Sequence, residues 1–299
     1  MDHANLSLKD LQATAHAAFA ASLYAARASL PDSTLALMDR TLQATHAQKR
    51  REDATPLNEA ELAIADFCDQ FVMGVGQTSD SQRSAVRHAL GDEGSYQLAN
   101  ALYLTDMYLR LAKALPSALS MTLDLPLDNA GAKACSNADL DALIASFAAA
   151  AVRANALDPL VSEMVRLRCA QTHRCRLCAS LRVDQALEQG LNEDMVAMIA
   201  QYQTAPLSGS VKAALELADA LILQPLAPEP GLLDRLSAHF TAEQITEICF
   251  DVVKWSQQKA LVALELDEPQ WQETFVLSFD DAGHPVFAGP VAEHALSMR

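Results

Sequence analysis

The chain has 299 residues, 51% of them hydrophobic but only 5% aromatic, with 10 Gly; this length accommodates about two domains of ordinary size, each able to bury its own core. Lys and Arg number 22 against 38 Asp and Glu, a formal net charge of −16, which repels phosphate backbones and anionic lipid surfaces and so excludes nucleic acid and membranes as expected partners. Ala, Leu and other strong helix formers dominate the composition, and the predicted fold class is all-α.

The opening stretch MDHANLSLKD lacks the basic and apolar regions of a targeting segment, so a cytoplasmic protein is expected. From Asp10 to Ala28, DLQATAHAAFAASLYAARA reads as an Ala-rich helix, and it resembles DLDALIASFAAAAVRANA further along, from Asp139 to Ala156. Phe19 then matches Phe147. Similar pairing sets LAIADFCDQF against LELADALIL through Asp66 and Asp219, and RHALGDEGSYQLANALYL against SAHFTAEQITEICFDVV through His88 and His239. The order of the matched helices agrees, while the offset grows by about 23 residues, which predicts a duplicated helical unit with an insertion in the second copy. Between the copies, Pro116 to Asn137 carries prolines, a Gly and turn formers without a helical period, and serves as a linker. Beyond Asp267 the pattern changes, and FVLSFDDAGHPVF, from Phe275 to Phe287, places β-formers on both sides of Asp-Asp-Ala-Gly, the signature of a short hairpin. The expected organisation is a unit over 1–125, a second over 126–266 and a C-terminal tail over 267–299 with no catalytic role.

The insertion holds the chemistry. Of the six cysteines, three lie in CAQTHRCRLCASLR, from Cys169 to Arg182, with Cys175 and Cys178 spaced as Cys-x-x-Cys. In a reducing compartment such spacing points to catalysis or metal binding before structure. Apolar residues at helical spacing from Leu160 to Ala170 predict an amphipathic helix carrying Glu163 in its first turns. The phrase THRC interrupts it, and a second helix is expected from Cys175 to Gly190, with both cysteines in its first turn. There, free backbone N–H groups and the nearby Arg174, Arg176 and Arg182 favour thiolate over thiol. On that helix Arg182 is four residues beyond Cys178 and shares its face.

Glu163 placed twelve residues before the first Cys of the Cys-x-x-Cys, on EMVRLRCAQ, and followed by ALEQGLNEDMVAMI, resembles the alkyl hydroperoxidase D-like branch of the carboxymuconolactone decarboxylase family. The resemblance is strongest over Leu160 to Ile199 and continues loosely to the helix around Trp255, with the first half as a degenerate copy lacking the dithiol. It implies an all-α bundle assembled into homo-oligomers, with a trimer favoured, and a dithiol that cycles with disulfide while reducing a small hydroperoxide or disulfide. By resemblance, Cys178 attacks the peroxide, Cys175 resolves the sulfenic acid, Glu163 belongs to the proton relay and an unidentified thiol protein returns the electrons. The family pattern has a His four residues after the second Cys, where this chain has Arg182; an Arg stays protonated and cannot shuttle protons, but it can stabilise a thiolate or pair with Glu163. His173, two residues before Cys175, is the auxiliary titrating candidate.

Other readings of the segment are a zinc site from Cys169, His173, Cys175 and Cys178, and buried structural cysteines. The second is favoured for Cys169, which continues the apolar helix; Cys68, Cys135 and Cys249 have no partner motif. A lactone decarboxylase-like enzyme and a non-enzymatic oligomeric scaffold are the non-redox alternatives. No Gly-rich phosphate loop, Gly-x-Ser-x-Gly elbow or His-x-x-x-His spacing occurs, and no cofactor or metal is expected.

Overall fold

Capping side chains mark where the principal helices begin. Asn58, Ser79 and Thr241 each accept the backbone N–H three residues on, and Glu61, Gln82 and Gln244 reach back to the cap, forming complete capping boxes. Asp139 and Ser208 cap in the same way without the return bond. The computed structural model describes residues 6–51, 56–127, 139–223 and 230–293.

The first half comprises β1 (Leu6–Ser7), α1 (Leu8–Leu11), α2 (Ala13–Ala28), α3 (Asp32–His46), α4 (Glu59–Gly74) and α5 (Asp80–Ala114). The long α5 is broken at Gly91, whose φ of 71° lies in the left-handed region that only Gly enters without cost. A short β2 (Met121–Thr122) follows and pairs in parallel with β1. The second half comprises α6 (Leu140–Val152), α7 (Pro159–His173), α8 (Arg176–Ala179), β3 (Leu181–Val183), α9 (Asp184–Glu188), α10 (Glu193–Met198), α11 (Gly209–Ile222), α12 (Leu232–Ser237), α13 (Ala242–Trp255) and α14 (Gln258–Leu264). The chain closes with β4 (Phe275–Phe279) and β5 (Pro285–Pro290). The fold is mostly helical with a small C-terminal sheet.

α2 packs against α6, α3 against α4, α4 against α5, α7 against both α11 and α13, and α14 against α5. At the centre, Phe19 of α2 meets Phe147 of α6 at 5.5 Å between ring centroids, and Phe147 meets Phe250 of α13 at 6.1 Å. All three are buried, and each such side chain contributes roughly 1.5–3 kcal/mol through the apolar surface it removes from water. One hydrophobic core therefore runs through both halves.

The C-terminal hairpin forms where its sequence indicates, with Asp280 accepting the N–H groups of Ala282 and His284 inside the turn. The sequence did not indicate that β4 also pairs in parallel with β3, setting Leu181, Arg182 and Val183 beside Phe275, Val276 and Leu277. This pairing overrides the predicted helix from Cys175 to Gly190. The helical run stops at Ala179, Leu181–Val183 become extended, and a helical turn returns only at Asp184. Among the described residues no helix is long and apolar enough to cross a membrane.

Candidate active site

α7 leads into the dithiol turn and carries Glu163 and Arg166. Asp158 caps it by accepting the Leu160 N–H at 2.8 Å, and Pro159 occupies a first-turn position where its missing N–H leaves no bond unmade. The helix runs to His173, and Arg174 turns the chain with φ 57° and ψ 38°. Cys175 then caps the single turn of α8, its Sγ accepting the Cys178 N–H at 3.1 Å. Cys175 and Cys178 are joined as a disulfide with Cα atoms 5.3 Å apart, inside the ordinary range for such a bridge. Both are buried, at 1% and 5% exposure.

The turn is held from two sides. From α7, Arg166 donates Nη1 to the Cys178 carbonyl at 2.8 Å and Nη2 to the Leu181 carbonyl at 2.6 Å. The same guanidinium grips Glu163 through Nε–Oε2 at 2.6 Å and Nη2–Oε1 at 2.7 Å, and its carbon lies 5.4 Å from the centre of the Trp255 ring. Arg166 and Glu163 are each 1% exposed. From the tail, the Asp267 carboxylate accepts the Arg176 N–H at 2.8 Å and pairs with its guanidinium at 3.0 Å, while the Asp267 carbonyl accepts the Leu177 N–H. Trp271 Nε1 donates to Ser180 Oγ at 3.0 Å, and the Phe275 N–H donates to the Ser180 carbonyl at 2.8 Å. The tail, expected to stand apart from the chemistry, supplies half the framework of the dithiol.

The residues singled out in the sequence are placed differently from one another. Glu163 lies beneath the turn, accepts the Val183 N–H at 3.3 Å and pairs with Arg166. Arg182 is on β3, not on a helix with Cys178, because the strand pairing with β4 redirects it. Its guanidinium meets Glu193 at 3.0 and 2.9 Å and donates to the carbonyls of Ala179 and Leu181, so the pairing with Glu163 that the sequence suggested is made by Arg166 instead. His173 is the last residue of α7 and is not a solvated loop residue. It is 4% exposed, its Nε2 lies 3.1 Å from Ser256 Oγ, and burial, with Lys259 and Arg110 nearby, holds its pKa well below the ordinary His value.

Cys169 is fully buried, and burial, reinforced by Asp251 and Asp219, pushes its thiol far up. Burial likewise raises the thiol of Cys68, and it pushes Cys249 up to about 12. These are protonated, inert thiols. Cys135 lies outside the described residues. Among the described residues no three His, Cys, Asp or Glu side chains converge as a metal site.

A cavity of about 350 Å³ opens on the other side of the Glu163–Arg166 pair, lined also by Ser162, Glu247, Asp251 and Trp255. Burial, with Glu247 and Glu163 nearby, pushes Asp251 up to about 7, against the opposing pull of its 2.6 Å hydrogen bond from Ser162 and of Lys254. The cysteines are not in its lining. Arg166 thus touches both the cavity and the dithiol turn. Its place was signalled in the sequence only by the spacing Glu163-x-x-Arg166, one helical turn, which puts both side chains on one face of α7.

A model of the carboxymuconolactone decarboxylase family matches residues 138–220, which include Glu163, Arg166 and both cysteines. The uncharacterized proteins Rv2313c and MT2376 of two Mycobacterium tuberculosis strains are each 33% identical over 228 residues, covering 73% of this chain and 77% of theirs. The uncharacterized protein YnjA of Escherichia coli K12 is 33% identical over 93 residues, 31% of this chain and 51% of its own. The chain belongs to the carboxymuconolactone decarboxylase family. No solved structure matches it.

Proposed function

We propose that the protein is a thiol–disulfide oxidoreductase with peroxidase activity, working through Cys175 and Cys178. The observation that carries this reading is the disulfide within a turn whose backbone is fixed by Arg166 and Asp267. In the forward step the Cys178 thiolate attacks the outer oxygen of a hydroperoxide, the O–O bond breaks, and the alkoxide leaves and takes a proton. Cys175 then displaces water from the Cys178 sulfenic acid and closes the disulfide. A dithiol protein returns two electrons: one of its thiolates attacks Cys178, with Cys175 leaving as a thiolate that the Cys178 N–H, aimed at its sulfur, stabilises, and its second thiol then displaces Cys178 from the mixed disulfide and closes the partner's own disulfide. Arg182 contributes by pinning the carbonyls of Ala179 and Leu181, and Glu163 through its pairing with Arg166. His173, buried and neutral, is not needed in these steps.

Mass spectrometry after mild peroxide and then dithiol treatment tests the reading. A reversible loss of two hydrogens localised to Cys175 and Cys178 is expected. Unreactive thiols at these two positions, or tightly held stoichiometric zinc, overturn it and leave the decarboxylase-like and scaffold readings.

The reading includes a tandem duplication, supported by how the helix bounds correspond. α3 and α7 share an offset of 127 at both ends, 32 to 159 and 46 to 173. From there the offset becomes 150: α4 begins at 59 and α11 at 209, while the part of α5 beyond Gly91 spans 92–114 and α13 with α14 spans 242–264. Contacts repeat too. His46 bonds Asp106 at 2.8 Å, and His173 bonds Ser256 at 3.1 Å, residues related by the same two offsets. The 23 extra residues fall between α7 and α11, where the dithiol lies. A trimer of such chains would present six units, and light scattering that returns a concentration-independent mass of 32.2 kDa excludes it.

A further inference from the structure

Glu163 and Arg166 form an ion pair with no net charge, so their combined effect on the nearby sulfurs cannot be that of a simple cation. Their geometry says more. Four of the five guanidinium N–H donors are committed, two to Glu163 and two to the carbonyls of Cys178 and Leu181. Those carbonyls bracket the segment that leaves the dithiol turn, and Arg166 is the α7 side chain that reaches both. The guanidinium carbon also lies 5.4 Å from the centre of the Trp255 ring, within cation–π range, and the four bonds leave the fork little rotational freedom. We propose that Arg166 is the positioning residue of the dithiol: by pinning the carbonyls of Cys178 and Leu181 it keeps the two sulfurs within bonding reach and the Cys178 N–H aimed at Cys175, while Glu163 serves to orient Arg166 and is not the base.

This inference rests on the redox reading above and deepens it. The stability of a disulfide relative to its two thiols depends on how closely the reduced chain holds them together. A turn fixed by a rigid fork holds them close and makes the pair more reducing. A loosened turn lets them part.

The test is the equilibrium of the full-length protein with reduced and oxidised glutathione, read by mass spectrometry of alkylated Cys175 and Cys178. Arg166→Met is expected to shift it at least tenfold towards the dithiol, a potential about 30 mV more oxidising. Arg166→Lys keeps the charge but not the fork, and is expected to recover only part of that shift. The double variant Glu163→Gln with Arg166→Met removes both charges and should show the full shift, which separates lost positioning from a stranded buried carboxylate. Glu163→Gln alone keeps an acceptor for Arg166, so the pH profile of peroxide-driven disulfide formation should retain its shape while the potential rises slightly. Glutathione equilibrium constants within threefold of the parent in folded Arg166→Met, full rescue by Lys, or loss of the pH dependence in Glu163→Gln at unchanged potential would each overturn the proposal. A parent protein that never exchanges with glutathione removes the redox reading itself, and the positioning role with it, an outcome distinct from a parent that exchanges and variants that match it.

Discussion

Two buried arginine clamps occupy the two halves of the molecule, and only one of them is beside a dithiol. In the first half Arg110 on α5 pairs with Asp106 at 2.9 Å and donates to the carbonyls of Val72, Leu221 and Leu223, near the ends of α4 and α11. In the second half Arg166 on α7 pairs with Glu163 and donates to the carbonyls of Cys178 and Leu181. Both use a carboxylate one helical turn away to satisfy part of the guanidinium, leaving the rest to collect backbone carbonyls. The surroundings differ. Asp106 also accepts from Lys259 at 2.6 Å and His46 at 2.8 Å, so one carboxylate balances two cations and takes a hydrogen bond from an imidazole, whereas Glu163 serves Arg166 and one backbone N–H. The first clamp is a structural node that ties α5, α14 and α3 together; the second is a local brace on four residues.

That difference is open to direct attack, and the node should fail more heavily. Asp106→Ala strands Arg110 and Lys259 in the core, and removal of one partner from a buried pair costs about 3–5 kcal/mol, measurable by urea unfolding. Burial alone would raise the Asp106 pKa, but Arg110, Lys259 and His46 together hold it far below the carboxylate range. Its stabilising contribution is thus complete above the unfolded value of about 3.9 and is lost as pH falls below it, so the variant should show a flatter acid limb than the parent.

Behind the second clamp, Asp251 has the opposite linkage. Its pKa is pushed up to about 7 by burial, so between the unfolded value of about 3.9 and that value the folded state holds a proton that the unfolded state releases. Stability therefore falls as pH rises through this window, by up to about 4 kcal/mol from this group. Asp251→Asn, which retains an acceptor for Ser162, should be more stable than the parent above pH 7 and differ little from it below pH 4. Melting curves across that range would show a constant difference if Asp251 were not the titrating group.

How legible was all this in the sequence? The helical class followed from composition, and the hairpin from β-formers around Asp280. The dithiol and Glu163 were visible as spacing on a predicted helix. Arg166 was visible but unread, because a Glu-x-x-Arg pair looks like any solvated helix pair until the carbonyls of Cys178 and Leu181 fold back onto it. The end of α8 at Ala179 was hidden for a related reason: Leu177 and Leu181, and then Val183, Ala186 and Leu187, recur at helical spacing, and only pairing with Phe275–Leu277, nearly a hundred residues away, makes Leu181–Val183 extended. That same long-range pairing moved Arg182 off the Cys178 face and brought the tail into the site.

The tail's share of the brace can be measured separately. Asp267→Asn weakens the acceptor for the Arg176 N–H at the start of α8 while leaving the Arg166 bonds in place. Reduction of the disulfide by a small thiol should accelerate by about two- to tenfold, the range set by one hydrogen bond of ordinary net strength. Trp271, stacked on Phe275 at 4.6 Å and bonded to Ser180, should report the loosening as a change in fluorescence. An unchanged reduction rate would assign the brace to Arg166 alone.

The smallest effect is expected at Arg182, and it separates charge from geometry around the thiols. Arg182 carries a full positive charge four residues from Cys178, and if proximity in sequence governed thiolate stability its loss would slow alkylation of the reduced protein strongly. Its guanidinium is instead neutralised by Glu193, whose side chain is 67% exposed, and is turned to the carbonyls of Ala179 and Leu181. A partly solvated pair of this kind exerts little field at a distance, because water screens it and the two charges cancel. Arg182→Met should therefore change the rate of Cys178 alkylation near neutral pH by less than about threefold, a shift of under roughly half a pKa unit, and by less than Arg166→Met does. The comparison is made on one reduced sample series, with iodoacetamide and mass readout of each cysteine. A larger effect at Arg182 than at Arg166 would mean that Arg182, and not the Arg166 fork, governs the dithiol.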